Sequence, residues 1–179
     1  MILFDLPVYQ FILNIFPPTT LMTVIMKLIT SFGSALFIIS CLISIAVLVR
    51  NKKYFKIFFF AILGGVIFNN LMKLIIQRPR PTNTLLLSYE KTYSFPSGHS
   101  MMSMIFYGLL IYYVILFVKN KLIRNLLVSF FSLLILFIGI SRIYLGVHYV
   151  TDVLAGFVFG FIFLVCFIKF LKKEKSVKI

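Results

Sequence analysis

Acidic residues are scarce in this 179-residue chain, which has four Asp and Glu residues against 18 Lys and Arg residues. Charged residues make up only 12% of the chain, whereas 61% of its residues are hydrophobic. The few charges fall in clusters between apolar runs that are near or above the length needed to cross a bilayer. This pattern excludes a soluble domain and a disordered chain. It predicts an all-α, polytopic transmembrane helical bundle.

Cysteine is also scarce, and no internal repeat or low-complexity tract is visible. Cys41 and Cys166 both lie inside apolar runs, so we expect them to be core residues and not a disulfide or metal pair. The start of the chain lacks the basic region and small-residue cleavage site of a secretory signal. We therefore expect a single domain over residues 1–179, with the chemistry carried by residues 69–156.

Most of the basic residues lie at the ends of hydrophobic runs, in three clusters. These are Arg50, Lys52, Lys53 and Lys56; Lys119, Lys121 and Arg124; and Lys169, Lys172, Lys173, Lys175 and Lys178. Basic loops of this kind mark the cytoplasmic side of a membrane protein. Nucleic acid is excluded as a partner, because its binding needs a basic face with stacking aromatics in water, and the Phe residues here lie in the spans.

Hydropathy predicts five membrane spans and a less regular N-terminal segment. The spans cover about residues 23–49, 57–76, 97–119, 122–140 and 148–170. Residues 1–20 are interrupted by Asp5 and by prolines, which favours a short interfacial helix over a sixth span. With the basic clusters inside, the connection 77–96 and the corner 141–148 are predicted on the extracytoplasmic face of the cytoplasmic membrane.

The corner after the fourth span concentrates Arg142, His148 and Asp152 between two apolar runs. His148 and Asp152 are four residues apart, so on a helix they would share one face and touch. A carboxylate on one imidazole nitrogen leaves the other nitrogen available as a nucleophile or base. A purely structural pair is the alternative, but ionisable residues beside membrane spans are costly and usually functional.

Two further segments bring polar groups to the same face. The second span is followed by Lys73, Arg78 and Arg80. Binding of an anionic ligand explains these basic residues better than side chains that merely extend to the membrane interface. Ser97, Gly98 and His99 begin the third span, where free helix amides hold phosphate and glycine permits a close approach. The alternative for this segment is an ordinary serine cap with an incidental histidine.

Together these segments favour phosphoryl transfer, because cations and amides can stabilise the phosphate oxygens while one group attacks and another protonates the leaving oxygen. A metal is not expected, since Asp152 and Glu90 are the only carboxylates nearby and the cations already serve the phosphate.

The three segments resemble the signature motifs of the type 2 phosphatidic acid phosphatase superfamily. The matching patterns are Lys73 with Arg80-Pro81, then Pro96-Ser97-Gly98-His99, then Ser141-Arg142 with His148 and Asp152. The resemblance implies that His148 attacks phosphorus, that Asp152 orients it and that His99 protonates the leaving group and later activates water. It implies metal-independent catalysis without a cofactor. The residues implied in phosphate binding are Lys73, Arg80, Ser97, Gly98 and Arg142.

The expected function is therefore that of a membrane lipid phosphatase with an extracytoplasmic site. Undecaprenyl diphosphate, phosphatidylglycerophosphate and phosphatidate are the candidate substrates, and Tyr89 and Glu90 are candidates for headgroup selection. A transferase of a phosphoryl group or phospho-headgroup and a non-catalytic anion channel or transporter are the alternatives. Integral members of the family commonly have six spans, one more than predicted here. The oligomeric state is left open.

Overall fold

A computed structural model describes residues 4–82, 87, 88, 90 and 92–177, with side chains through residue 173. Every regular element in these residues is an α-helix. The helices are α1 (Asp5–Ile15), α2 (Thr20–Ser31), α3 (Ala35–Leu48), α4 (Lys52–Ile76), α5 (Gly98–Phe117), α6 (Lys121–Tyr144) and α7 (Val150–Val177). The predicted all-α fold class is confirmed.

Four helices, α4 to α7, are long and apolar enough to cross a membrane, and α1 with α2 would be a fifth span if this bent pair is counted as one. A bilayer core of about 30 Å needs about 20 apolar residues in a helix. Many Leu, Ile and Phe side chains of these helices are exposed on the outside of the bundle. A surface this apolar requires lipid around it.

The predicted first span, 23–49, forms two helices instead of one. α2 ends at Ser31 and α3 begins at Ala35. The Ser34 hydroxyl accepts a hydrogen bond from the Phe37 amide at 3.2 Å, and this cap satisfies one free amide of the new helix. Gly33 lies in the break, where an added Cβ would be 3.4 Å from the His99 ring. The break therefore brings the corner between α2 and α3 close to a predicted site residue.

The N-terminal helix α1 packs through a single face. Asp5, Tyr9 and Ile12 recur at helical spacing and are all buried. α1 contacts α6 and α7 and is bent by 116° from α2. The segment predicted as a short helix is thus a helix fixed to the bundle.

The helix α5 packs against α4, α6 and α7. Its start lies with the end of α4, the end of α6 and the start of α7, and we call this end of the bundle the site end. At Gly156 of α7, an added Cβ would be only 2.7 Å from the Ser97 carbonyl oxygen. The close approach of α5 and α7 at the site end therefore depends on glycine.

Candidate active site

The chain leaves α4 through a sharp turn at Gln77, which has a left-handed backbone (φ 47°). Two Arg-Pro pairs follow, and proline prevents the helix from continuing. The Ser94 amide donates a hydrogen bond to the Arg78 carbonyl at 2.8 Å. The segment after α4 and the segment before α5 are therefore joined across the site end.

His148 and Asp152 meet at the start of α7. The Nδ1 atom of His148 lies 3.4 Å from Oδ2 of Asp152, and the Tyr149 amide donates to the same oxygen at 3.0 Å. The predicted contact is present, but α7 begins only at Val150. His148 thus lies in the turn before the helix and not on the same helical face as Asp152.

The environment of His148 favours a neutral imidazole. Burial is the main cause that lowers the pKa of His148 to about 4; the Asp152 hydrogen bond raises it, and Arg142 and Arg80 lower it. The Nδ1 atom is assigned the proton because it faces the carboxylate. The lone pair is then on Nε2, which lies 3.3 Å from Nη1 of Arg80.

Lys73 and Arg80 line a cavity of about 740 Å³, which we call the cationic cavity. Backbone carbonyls hold both side chains. The ammonium of Lys73 donates to the Tyr93 carbonyl, and Arg80 donates to the Thr92 and Val147 carbonyls, both at 2.7 Å. Burial lowers the pKa of Arg80 from its usual value.

Arg142 is buried beside a carboxylate at the end of α6. Its Nη2 atom lies 2.6 Å from Oε1 of Glu90, and its Nη1 atom donates to the Thr30 hydroxyl at 3.0 Å. Its Nε atom is buried and has no hydrogen-bond partner within the described residues. Arg142 therefore retains an unused donor next to the Glu90 carboxylate. Tyr89, the other predicted headgroup contact, lies outside the described residues.

Ser97 and Gly98 tie the start of α5 to its neighbours. The Ser97 amide donates to the Asp152 carbonyl at 3.0 Å, and the Ser97 hydroxyl accepts from the Ser100 hydroxyl at 3.0 Å. At Gly98 an added Cβ would be 3.3 Å from Oδ1 of Asn69. The segment predicted to bind phosphate is thus held between α4 and α7.

His99 lines a second, mostly apolar cavity of about 250 Å³, which we call the apolar cavity. Side chains such as Ile38, Ile62 and Met102 form its wall between α3, α4 and α5. Asn70 lines both cavities. The two cavities therefore adjoin, one cationic and one apolar.

The sequence profile of the PAP2 superfamily matches residues 54–176, which is more than half of the chain. The chain belongs to the PAP2 superfamily. The family predicted from the sequence is thereby confirmed. A PAP2-type relative, phosphatidylglycerophosphatase B of Bacillus subtilis (strain 168), is 32% identical over 143 residues, which are 76% of this chain and 68% of the relative.

Two solved structures share the fold of this PAP2 chain. The crystal structure of a transmembrane PAP2 type phosphatidylglycerolphosphate phosphatase from Bacillus subtilis matches with a TM-score of 0.84 and 26% identity, over 94% of this chain and 85% of that one. LpxE of Aquifex aeolicus matches with a TM-score of 0.71 and 25% identity, over 92% and 94%. Our chain is therefore an integral, multi-pass membrane enzyme that hydrolyses phosphate esters.

The PAP2 site also contains residues that sequence reasoning missed. The sequence predicts that Arg78 binds an anionic ligand; in the fold its Nη1 atom lies 2.6 Å from Oδ1 of Asp152 and its Nη2 atom 3.0 Å from Oδ2 of Asp5. The Ser94 hydroxyl donates to Oδ2 of Asp152. In the sequence, Asp5 stands out only as an interruption of an apolar segment. A carboxylate in an apolar segment requires a buried partner. This requirement is the sequence signal that predicts a contact between Asp5 and a cation or hydrogen-bond donor.

Proposed function

We propose that this PAP2 enzyme is a membrane lipid phosphatase that works through a phosphohistidine at His148. The observation that carries this proposal is the placement of a neutral, Asp152-bound imidazole beside Arg80, which itself lines the cationic cavity. A neutral imidazole has a lone pair for attack, and fixed cations stabilise the charge that develops on phosphate.

In the first step, Nε2 of His148 attacks phosphorus while the bond from phosphorus to the leaving oxygen breaks. Asp152 holds the imidazolium that forms, and Lys73, Arg80 and Arg142 bind the phosphate oxygens together with Ser97 and Gly98. His99 donates a proton to the leaving oxygen. In the second step, His99 takes a proton from water, the water oxygen attacks phosphorus, and the N–P bond breaks to release phosphate.

The adjoining cavities support a lipid substrate. The phosphate lies in the cationic cavity, and the leaving alcohol extends towards His99 and the apolar cavity. Phosphatidylglycerophosphate is the first candidate, because phosphatidylglycerophosphatase B is a relative at 32% identity. Undecaprenyl diphosphate and phosphatidate are the other candidates. The basic clusters support an extracytoplasmic position for the site.

Phosphate release by the detergent-purified protein, measured in the presence of a chelator, tests this function. The three lipids are compared side by side in wild type and in His148→Asn. We expect metal-independent release from at least one lipid and its loss in the variant. Release that persists in His148→Asn would overturn the proposed nucleophile.

A ³²P-labelled lipid tests the covalent intermediate directly. The chain has only two histidines, so the variants His148→Asn and His99→Asn together locate the label. We expect acid-labile label on the protein after rapid quenching in wild type and none in His148→Asn. A labelled enzyme that releases phosphate only to an added alcohol would identify a transferase instead.

A further inference from the structure

Asp5 is a buried charge on the N-terminal helix, outside the three sequence motifs. Only 2% of this residue is exposed. Its Oδ1 atom accepts hydrogen bonds from the Thr151 amide at 3.1 Å and the Thr151 hydroxyl at 3.2 Å. Its Oδ2 atom lies 3.0 Å from Nη2 of Arg78. α1 is thus joined by charge and hydrogen bonds to the first turn of α7.

Arg78 connects Asp5 with Asp152. Each of its two terminal nitrogens contacts a different carboxylate: Nη1 lies 2.6 Å from Oδ1 of Asp152, and Nη2 contacts Asp5. The Tyr149 ring lies 3.9 Å from the guanidinium carbon and supports its face. A planar guanidinium held in this way at both nitrogens has a fixed orientation.

Arg78 also lines the cationic cavity, next to Lys73 and Arg80. Without Asp5, a substrate phosphate would compete with Asp152 for this guanidinium. A carboxylate on the far side of Arg78 gives the guanidinium a second anion that is not part of the cavity. Asp5 therefore keeps Arg78 in contact with Asp152, while Lys73 and Arg80 remain available to bind phosphate.

We infer that Asp5 is a positioning residue of the active site, which acts through Arg78 to hold Asp152 and so the His148 imidazole. The N-terminal helix is then part of the catalytic apparatus and not only a membrane-surface element. This inference rests on the proposed roles of His148 and Asp152. Asp5 does not line the cationic cavity, so its loss reaches the substrate only through Arg78, and its main effect falls on the chemical step.

The test compares steady-state kinetics of Asp5→Asn, Arg78→Gln and the double variant in detergent. For Asp5→Asn we expect kcat to fall about tenfold, as when the partners that orient ligating histidines in metal sites are removed, with KM changed less than about twofold. In the Arg78→Gln background, Asp5→Asn should cause no further loss, because both act through one contact. Asn14→Ala removes an exposed polar group from the same helix and serves as the matched control.

An unchanged kcat in folded Asp5→Asn, a rise in KM alone, or additive losses in the double variant would each overturn the inference. Thermal unfolding confirms that each variant is folded at the assay temperature. If Asp5→Asn does not fold, kcat is measured in Arg78→Lys instead, because one ammonium cannot replace the contacts of a guanidinium with two carboxylates. An unchanged kcat in Arg78→Lys would also overturn the inference. His148→Asn is measured in parallel, since activity in that variant would reject the proposed function itself.

Discussion

At the scale of single residues, the surroundings of His148 meet two requirements of a nucleophile in phosphoryl transfer. The imidazole must be unprotonated, and it must lie among cations that attract the phosphate and that also disfavour the imidazolium. Burial, more than the neighbouring arginines, keeps the imidazole neutral. Asp152 limits this effect and fixes the proton on Nδ1.

This balance predicts that His148 titrates near pH 4 instead of near pH 6.5. The sign follows from burial, which disfavours the charged imidazolium, so the neutral nucleophile persists as the pH falls until about 4. Imidazole NMR of ¹⁵N-histidine-labelled protein measures this, because only two histidines contribute signals. The signal that remains in His99→Asn is that of His148. A midpoint near 6.5 would contradict the proposed environment.

The ion pair between Glu90 and Arg142 predicts that Glu90 competes with a phosphate ligand for this arginine. Its carboxylate lies where a phosphate oxygen is expected, 2.6 Å from Nη2, and its side chain is 32% exposed. A partly exposed ion pair is worth on the order of 1 kcal/mol, so Glu90→Gln should tighten competitive inhibition by inorganic phosphate about fivefold. Glu90→Asp, which keeps the charge, is the control. Weaker inhibition in Glu90→Gln would instead assign Glu90 to ligand binding.

The same residues show how far sequence reasoning reaches. The contact of His148 with Asp152 follows from spacing, because residues four apart meet in a helix or in the turn that begins one. The partners of Arg78 do not, since Asp5 is separated from it by 73 positions. Only the folded position of α1 shows that this arginine binds two carboxylates.

At the scale of elements, the positions of helix ends determine where the site residues lie. Helices α2 to α6 each begin after a Thr, Ser or Asn whose side chain accepts a hydrogen bond from a helix amide. Hydropathy alone missed the Ser34 cap because the apolar run continues through it. Cap residues inside a long apolar run therefore carry information that a hydropathy window averages out.

The close packing around Gly156 predicts that one added methyl group strongly affects stability and kcat. In Gly156→Ala the new Cβ would meet the Ser97 carbonyl at 2.7 Å and Cβ of Ser100 at 2.9 Å. Because backbone cannot rotate away, α7 must shift from α5 and disturb the hydrogen bond between Ser97 and Asp152. We expect a loss of about 1–3 kcal/mol in stability together with a lower kcat, measured by thermal unfolding and phosphate release.

Gly64→Ala is the matched control for this substitution. The added Cβ would lie 2.8 Å from the tip of the Phe163 ring, and a side chain can turn where a backbone carbonyl cannot. Gly64 also lies in the middle of α4, away from the residues that contact His148. Equal losses of kcat in the two variants would contradict the proposed coupling between α5, α7 and the site.

At the scale of the whole molecule, charge is divided between the two ends of the bundle. Lys52 and Lys53 begin α4, Lys119 lies between α5 and α6, and Lys121 begins α6, all at the end opposite the site end. The cations of the site end are largely engaged by carbonyls and carboxylates. The orientation predicted from the sequence therefore rests on the loop clusters, because the loop clusters and the site cations serve different purposes.

This division predicts which end of the bundle faces the outside of the cell. Single cysteines are introduced as Thr82→Cys at the site end and Lys119→Cys at the opposite end, both at exposed positions, in a background with Cys41→Ala and Cys166→Ala. A membrane-impermeant maleimide added to intact cells should label Thr82→Cys, whereas Lys119→Cys should react only after permeabilisation. Phosphate release by both variants confirms that they are folded. The reverse labelling pattern would place the site on the cytoplasmic face, where the enzyme would draw its substrate from the inner leaflet.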